Sequence, residues 1–270
     1  SCKEKETEDK ELYPWDVAYY SDKIKKEKFD FDEESLRPYF KMEYVIDGIF
    51  EHAKRLYGLL ISQRKDIPVY HEDVTVYEIK KESGEFIGLL YMDLYPRDSK
   101  RQGGGIDAVR IQEGKGSSYI PAQLLIVCNL TKPTETTPAL ITSYEAETIF
   151  HEFGHGLHTL LSECQYPSLA GFNTLWDFVE LPSQIMQSWL TQKESFKIFA
   201  KHYLTGESIS DVDIEKILKA DRFMAGWTTL AQASAALLDL AWHSDKSIGV
   251  TDIEKFEEQI RGPYRFFPGY

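Results

Sequence analysis

"TIFHEFGHGLH", residues 148–158, concentrates three of the chain's seven histidines in eight positions and sets a glutamate directly after the first. Ile149, Phe150, Phe153, Leu157, Leu160 and Leu161 recur at helical spacing through and just beyond it. The stretch therefore reads as an amphipathic helix with one face free to pack. Positions i and i+4 share a helix face, so His151 and His155 can aim their imidazoles at one ion. Glu152 sits at the edge of that face, within reach of a water beside the ion. H-E-x-x-H thus offers two zinc ligands and a general base on two turns of helix; the alternative is a histidine-rich helix with no metal. A catalytic zinc also needs a third ligand and an open position. Glu180, in "WDFVELPSQ" 25 residues beyond His155, is the candidate. Spacing alone does not separate it from a solvated surface carboxylate.

Working outward, everything after Pro138 has helical spacing, at about 144–162, 177–192, 194–204, 211–242 and 251–260. Upstream, helix is expected over 14–29, and again from an Asp32 N-cap through residue 60. Between these sections the period changes to two. "VTVYEIK" (74–80) and "FIGLLYMDLYP" (86–96), joined at "KESGE", read as a hairpin, and "AQLLIVCNL" (122–130) as a strand buried on both faces. Residues 97–118 read as a long polar loop; its "GGG" at 103–105 lacks the spacing of a nucleotide-binding loop and fits flexibility beside a cleft. The fold class is α+β, mostly α-helical, with a small inserted β-sheet. The regions are helical over 1–66, sheet over 67–130 and a helical zinc-binding part over 131–270.

Hydrophobic residues at 42% and charged residues at 28% are ordinary for a globular protein. The net charge of −13, with no basic block to offset it, argues against nucleic-acid and anionic-membrane partners. Cys2, Cys128 and Cys164 are odd in number and widely spaced, which fits a reducing compartment. The longest apolar run, "LLIVC" (124–128), is too short to span a bilayer. The opening "SCKEKETEDKE" has no signal-peptide pattern, so the chain reads as cytoplasmic.

"FHEFGHGLH" followed by "YPSLAGFNTLWDFVELPSQ" resembles the zinc oligopeptidases typified by thimet oligopeptidase and peptidyl-dipeptidase. The resemblance extends through "YPWDVAYYSDKIKKEKFDFDEESLRPYF", "VIDGIFEHAKRLYGL", "LYMDLYPR", "CNLTKPTETTPALIT", "AKHYLTGE" and "ALLDLAWH", in that order. The "LRPYF" and "LDLAWH" segments are more similar to the peptidyl-dipeptidase branch. The resemblance implies a zincin-type catalytic domain with one Zn2+ held by His151, His155 and Glu180. It implies Glu152 as the catalytic carboxylate and Asp177 as a support for a ligand histidine; Asp177 also fits an N-cap of the "FVELPSQ" helix. The implied activity is hydrolysis of short, unstructured peptides, of peptidyl-dipeptidase or oligopeptidase type. Strand 89–96 then either pairs with extended substrate or pairs only within its sheet.

Some features depart from the family pattern. Gln187 stands where the family generally has glutamate, and Trp176 where it often has a basic residue. Members are much longer, so the chain is expected to be part of a catalytic domain whose remainder lies elsewhere in the protein. The family's oxyanion-gripping histidine and tyrosine fall beyond "YRFFPGY" (264–270), and Tyr264 and Tyr270 are not evident replacements. His202 and His243 read as structural histidines in helices. The alternative function is a zinc- and peptide-binding fragment without turnover.

Overall fold

A computed structural model describes residues 12–30 and 32–267; the leader, Cys2 and Tyr270 lie outside the described residues. In chain order the helices are α1 Val17–Phe29, α2 Glu33–Leu36, α3 Met42–Tyr57, α4 Ser143–Leu160, α5 Trp176–Val179, α6 Leu181–Gln187, α7 Lys193–Phe199, α8 Asp211–Asp221, α9 Ala225–Trp242 and α10 Ile253–Arg261. The strands are β1 Leu59–Arg64, β2 Thr75–Lys81, β3 Phe86–Asp93, β4 Gly105–Arg110 and β5 Ala122–Val127. The chain divides into two compact units, residues 33–214 and residues 1–32 with 215–270.

The larger unit is built on one mixed sheet of order β1-β2-β3-β5-β4. β2 and β3 form the expected antiparallel hairpin, β3 runs parallel to β5, and β4 closes the edge antiparallel to β5. Two strands fall where the sequence read otherwise. β1 begins within the stretch assigned to helix: Gly58, at φ 64°, ends α3 in the left-handed region and turns the chain into the sheet. β4 lies inside the polar loop, where "GIDAVR" is too short to stand out beside two glycine clusters.

β5 is buried on one face rather than both. Ala122, Leu124 and Ile126 are fully covered, while Gln123, Leu125 and Val127 are half-buried. Helices cover that buried face. Phe50 of α3 sits edge-on to Tyr77 of β2, with ring centroids 4.9 Å apart, and tilts against Phe153 of α4 at 6.0 Å. Behind α3 and α4, Phe40, Phe150, Phe196 and Phe199 form an aromatic cluster at centroid separations of 5.9–6.2 Å.

A buried ionic knot ties the end of β3 to the glycine loop. Arg97 grips the Asp93 carboxylate through two bonds of 2.6 and 2.7 Å, and the Tyr70 hydroxyl donates to it at 2.7 Å. Lys100 reaches Asp93 and the carbonyls of Tyr95 and Cys128. Asn129 then holds the carbonyls of Arg101 and Gly103. The loop before β4 is therefore pinned along its length.

Two helices, α8 and α9, replace the single helix read over 211–242. The chain breaks at Met224, at φ 59°, where Phe223 packs against Phe29 and the Ser21 hydroxyl meets the Met224 sulfur. Neither structural-histidine assignment falls inside a helix. His202 lies in a turn after α7 against Tyr39, and His243 caps α9 with an exposed ring bonded to Asp239. Cys128 is buried and Cys164 half-buried, both free thiols. No helix among the described residues is long and apolar enough to cross a membrane.

Burial alone would raise the Asp93 carboxyl, but bonds from Arg97, Tyr70 and Lys100 prevail and hold it at about 2. Because this lies below the unfolded value near ~4, its contribution is full above ~pH 4 and lost as pH falls toward ~2. That contribution is on the order of 2 kcal/mol. Asp93→Asn, which removes the charge that half-buried Arg97 and the buried Lys100 head group share, should destabilise the fold by about 3–5 kcal/mol at neutral pH. Urea unfolding of both forms checks this: the gap should be constant above pH 5 and narrow by pH 2.

Candidate metal centre

α4 is fixed at its start by a capping box. Thr142 Oγ1 accepts from the Glu145 amide at 3.1 Å, and Glu145 accepts from the Thr142 amide at 2.7 Å. Glu145 also accepts from the Thr131 amide and hydroxyl, which ties the helix start to the segment leaving β5. From that anchor the helix runs 18 residues and presents His151 and His155 on one face, with ring centroids 5.0 Å apart.

The chain returns through a loop into α5 and α6. Glu180 occupies the junction between these two short helices, just before Pro182, whose missing N–H is tolerated in a first turn. Glu180 Oε2 lies 3.1 Å from His151 Nε2 and 3.2 Å from His155 Nε2. Ligand bonds of ~2.0–2.1 Å in a tetrahedron give donor–donor edges of ~3.3 Å, so this spacing fits three ligands of one zinc ion. One nitrogen from each imidazole and one carboxylate oxygen make a zinc-type donor set. Ser183 donates to Glu180 Oε2 at 2.9 Å and fixes the carboxylate's orientation.

The electrostatics agree with ligation. Burial pushes the His155 imidazole down, toward the neutral form that binds metal. Burial opposes ionisation of Glu180, but Ser183 and the two imidazoles outweigh it and hold the carboxyl below its usual range. Glu152 is buried beside the pair and its carboxyl is raised, by burial first and further by Glu180, with His151 opposing. Glu152 and His151 line an open cavity of roughly 320 Å³ with Gly104, Tyr144, Glu147, Thr148 and Gln187.

The structure brings His151, His155 and Glu180 together, with Glu152 adjacent, but not Asp177. α5 starts at Trp176 with Leu175 as its N-cap, so Asp177 falls inside the first turn, exposed, and makes no cap bond. No hydrogen bond joins it to a ligand histidine among the described residues; His151 Nδ1 instead meets Gln187 Oε1 at 3.0 Å, and His155 Nδ1 is buried without a partner. In this structure Asp177 therefore caps no helix and bonds neither imidazole. His158, the motif's third histidine, lies away from the pair against Phe178. The strand read over 89–96 offers no free edge, since β3 pairs with β2 on one side and β5 on the other. The edge strands are β1 and β4, and β4 is the one beside the site: a Cβ built on Gly104, just before it, would lie 3.9 Å from Glu152 Oε1.

A model of peptidase family M3 matches residues 1–265. The chain is 39% identical to oligopeptidase A of Escherichia coli over 238 residues, covering 87% of this chain and 35% of that protein. It is 40% identical to dipeptidyl carboxypeptidase of the same organism over 246 residues, covering 90% and 36%. Against saccharolysin of Saccharomyces cerevisiae the identity is 33% over 264 residues, covering 94% and 37%. The chain spans about a third of the length of these relatives. The first two identities are too similar to separate the oligopeptidase and dipeptidyl carboxypeptidase types.

Gly154, between the two histidines, sets how near α6 can come. A Cβ there would meet the Pro182 carbonyl at 2.7 Å, Ser183 Cα at 2.7 Å and Met186 Cβ at 2.8 Å. At Gly156 the nearest atom would be Ile106 Cδ1 at 3.4 Å. Gly154→Ala should displace Glu180, lower stability by about 1–3 kcal/mol and weaken zinc binding, whereas Gly156→Ala should leave affinity unchanged. Thermal unfolding and competition with a chromogenic chelator measure both effects.

Proposed function

The chain belongs to peptidase family M3, and on that premise we propose that it is the zinc-binding part of a metallopeptidase that hydrolyses peptide bonds in short, unstructured peptides. The observation that carries this reading is Glu180 Oε2 within 3.1 and 3.2 Å of the two imidazole nitrogens, with buried Glu152 next to them on α4. His151, His155 and Glu180 would hold the ion beside the cavity that His151 and Glu152 line. A zinc ion held there would supply Lewis acidity for activating a water and polarising the scissile carbonyl.

The protein's own groups do the rest. Glu152 accepts the proton as the water oxygen bonds to the carbonyl carbon, and it returns that proton to the amine nitrogen as the C–N bond breaks. Its burial strengthens it as a base. An extended peptide can lie along the free edge of β4 and pair through main-chain groups, which tolerates varied sequences. The pinned glycines before β4 let that backbone come close to Glu152. Peptidyl-dipeptidase and oligopeptidase action both suit this arrangement. The net charge of −13 disfavours polyanionic partners.

A zinc-loaded preparation of the full-length protein should cleave a quenched fluorescent peptide, with activity abolished by a chelator and restored by zinc, whereas residues 1–270 alone should show little or no turnover. Glu152→Ala should keep its zinc yet lower the rate by roughly 10²–10⁴-fold. Full activity in that variant would sink the reading. Zinc and peptide binding without turnover would favour the non-catalytic alternative, which the chain's coverage of about a third of its relatives' length keeps open.

A further inference from the structure

We infer that Gln187 is a positioning residue for the metal centre: its amide oxygen holds the Nδ1 proton of His151 and so turns the Nε2 lone pair toward the ion. The inference rests on the proposal that His151 is a zinc ligand. Gln187 ends α6, seven residues or about two helical turns beyond Glu180, so both side chains leave the same face of that segment. One short segment therefore supplies the third ligand and the support for the first. Its Oε1 is 3.0 Å from His151 Nδ1, and the residue lines the cavity with His151 and Glu152.

An amide oxygen can only accept, so this contact requires the proton on Nδ1. A neutral imidazole protonated there carries its lone pair on Nε2, the nitrogen that faces Glu180. The second imidazole has no such help. His155 Nδ1 is buried and partnerless, and a buried N–H without an acceptor is costly. Gln187 thus sets one ligand in advance and leaves the other unassisted. An uncharged amide also draws on the Nδ1 proton less than a carboxylate would.

Two substitutions separate positioning from packing. Gln187→Leu removes the acceptor at similar volume, and Gln187→Glu keeps it with added charge. Zinc affinity is read by chelator competition, and the His151 tautomer by ¹⁵N NMR of the metal-free protein at pH 8. In the unaltered protein His151 should carry its proton on Nδ1 before zinc is added. Gln187→Leu should mix the tautomers and weaken zinc binding by about 10–100-fold, while Gln187→Glu should keep the Nδ1–H form and bind at least as tightly. The inference is overturned if Gln187→Leu keeps both tautomer and affinity, whatever its melting temperature, or if Gln187→Glu loses affinity as Leu does. Failure of the unaltered protein to bind zinc would instead refute the metal site, and the tautomer comparison would still decide the role of Gln187.

Discussion

The candidate metal centre depends on how closely α6 can lie against α4, because Glu180 reaches the two imidazoles only when the helices nearly touch. Gly154 permits that approach: the backbone of Pro182 and Ser183 occupies the space where any side chain would begin. The i,i+4 pair on α4 would otherwise offer an ion two imidazole donors and no third. Close packing converts them into part of a three-donor set, and Ser183, at the same contact, orients the carboxylate that completes it. Packing and ligation are one constraint at this point in the fold.

A second constraint acts from the sheet. β4 and Gly104 lie beside Glu152 because the Asp93 knot and Asn129 fix the loop that delivers them. That knot places two cations around one buried carboxylate, with the lysine head group also satisfied by backbone carbonyls. It gives a polar, glycine-rich segment the definition that its composition lacks. The cavity therefore has one wall from the helix that carries the metal donors and one from a strand end with an open edge beyond it.

Much of this was legible in the sequence, for identifiable physical reasons. The spacing of His151, Glu152 and His155 dictates a shared helix face, and the apolar residues around them dictate which side packs. The β2–β3 hairpin followed from its period and its turn. β1 was hidden because Leu59 and Ile61 continue the apolar pattern of α3, and only Gly58 marks the stop. β4 was hidden by its glycine-rich flanks. The cap position near Asp177 is not legible because it depends on where α5 begins, a matter of one or two residues that composition does not fix. Gln187 appeared in the sequence only as a departure from the family pattern; its contact with His151 depends on the packing of α6. Gly154 carried a signal, a glycine inside a helix between two histidines, but its meaning needed the partner helix.

The central claim is that His151, His155 and Glu180 form one zinc site, and zinc K-edge X-ray absorption of the loaded protein addresses it most directly. The account predicts a first shell of nitrogen and oxygen at ~2.0–2.1 Å, with multiple scattering from two imidazoles and no sulfur. Glu180→Gln should alter that shell while the two-imidazole signature persists. A zinc–sulfur distance of ~2.3 Å would instead place the metal on a cysteine such as Cys128, whose sulfur lies 3.5 Å from the position a Cβ would take on Gly104. That result, or a spectrum with fewer than two imidazoles, would contradict the account.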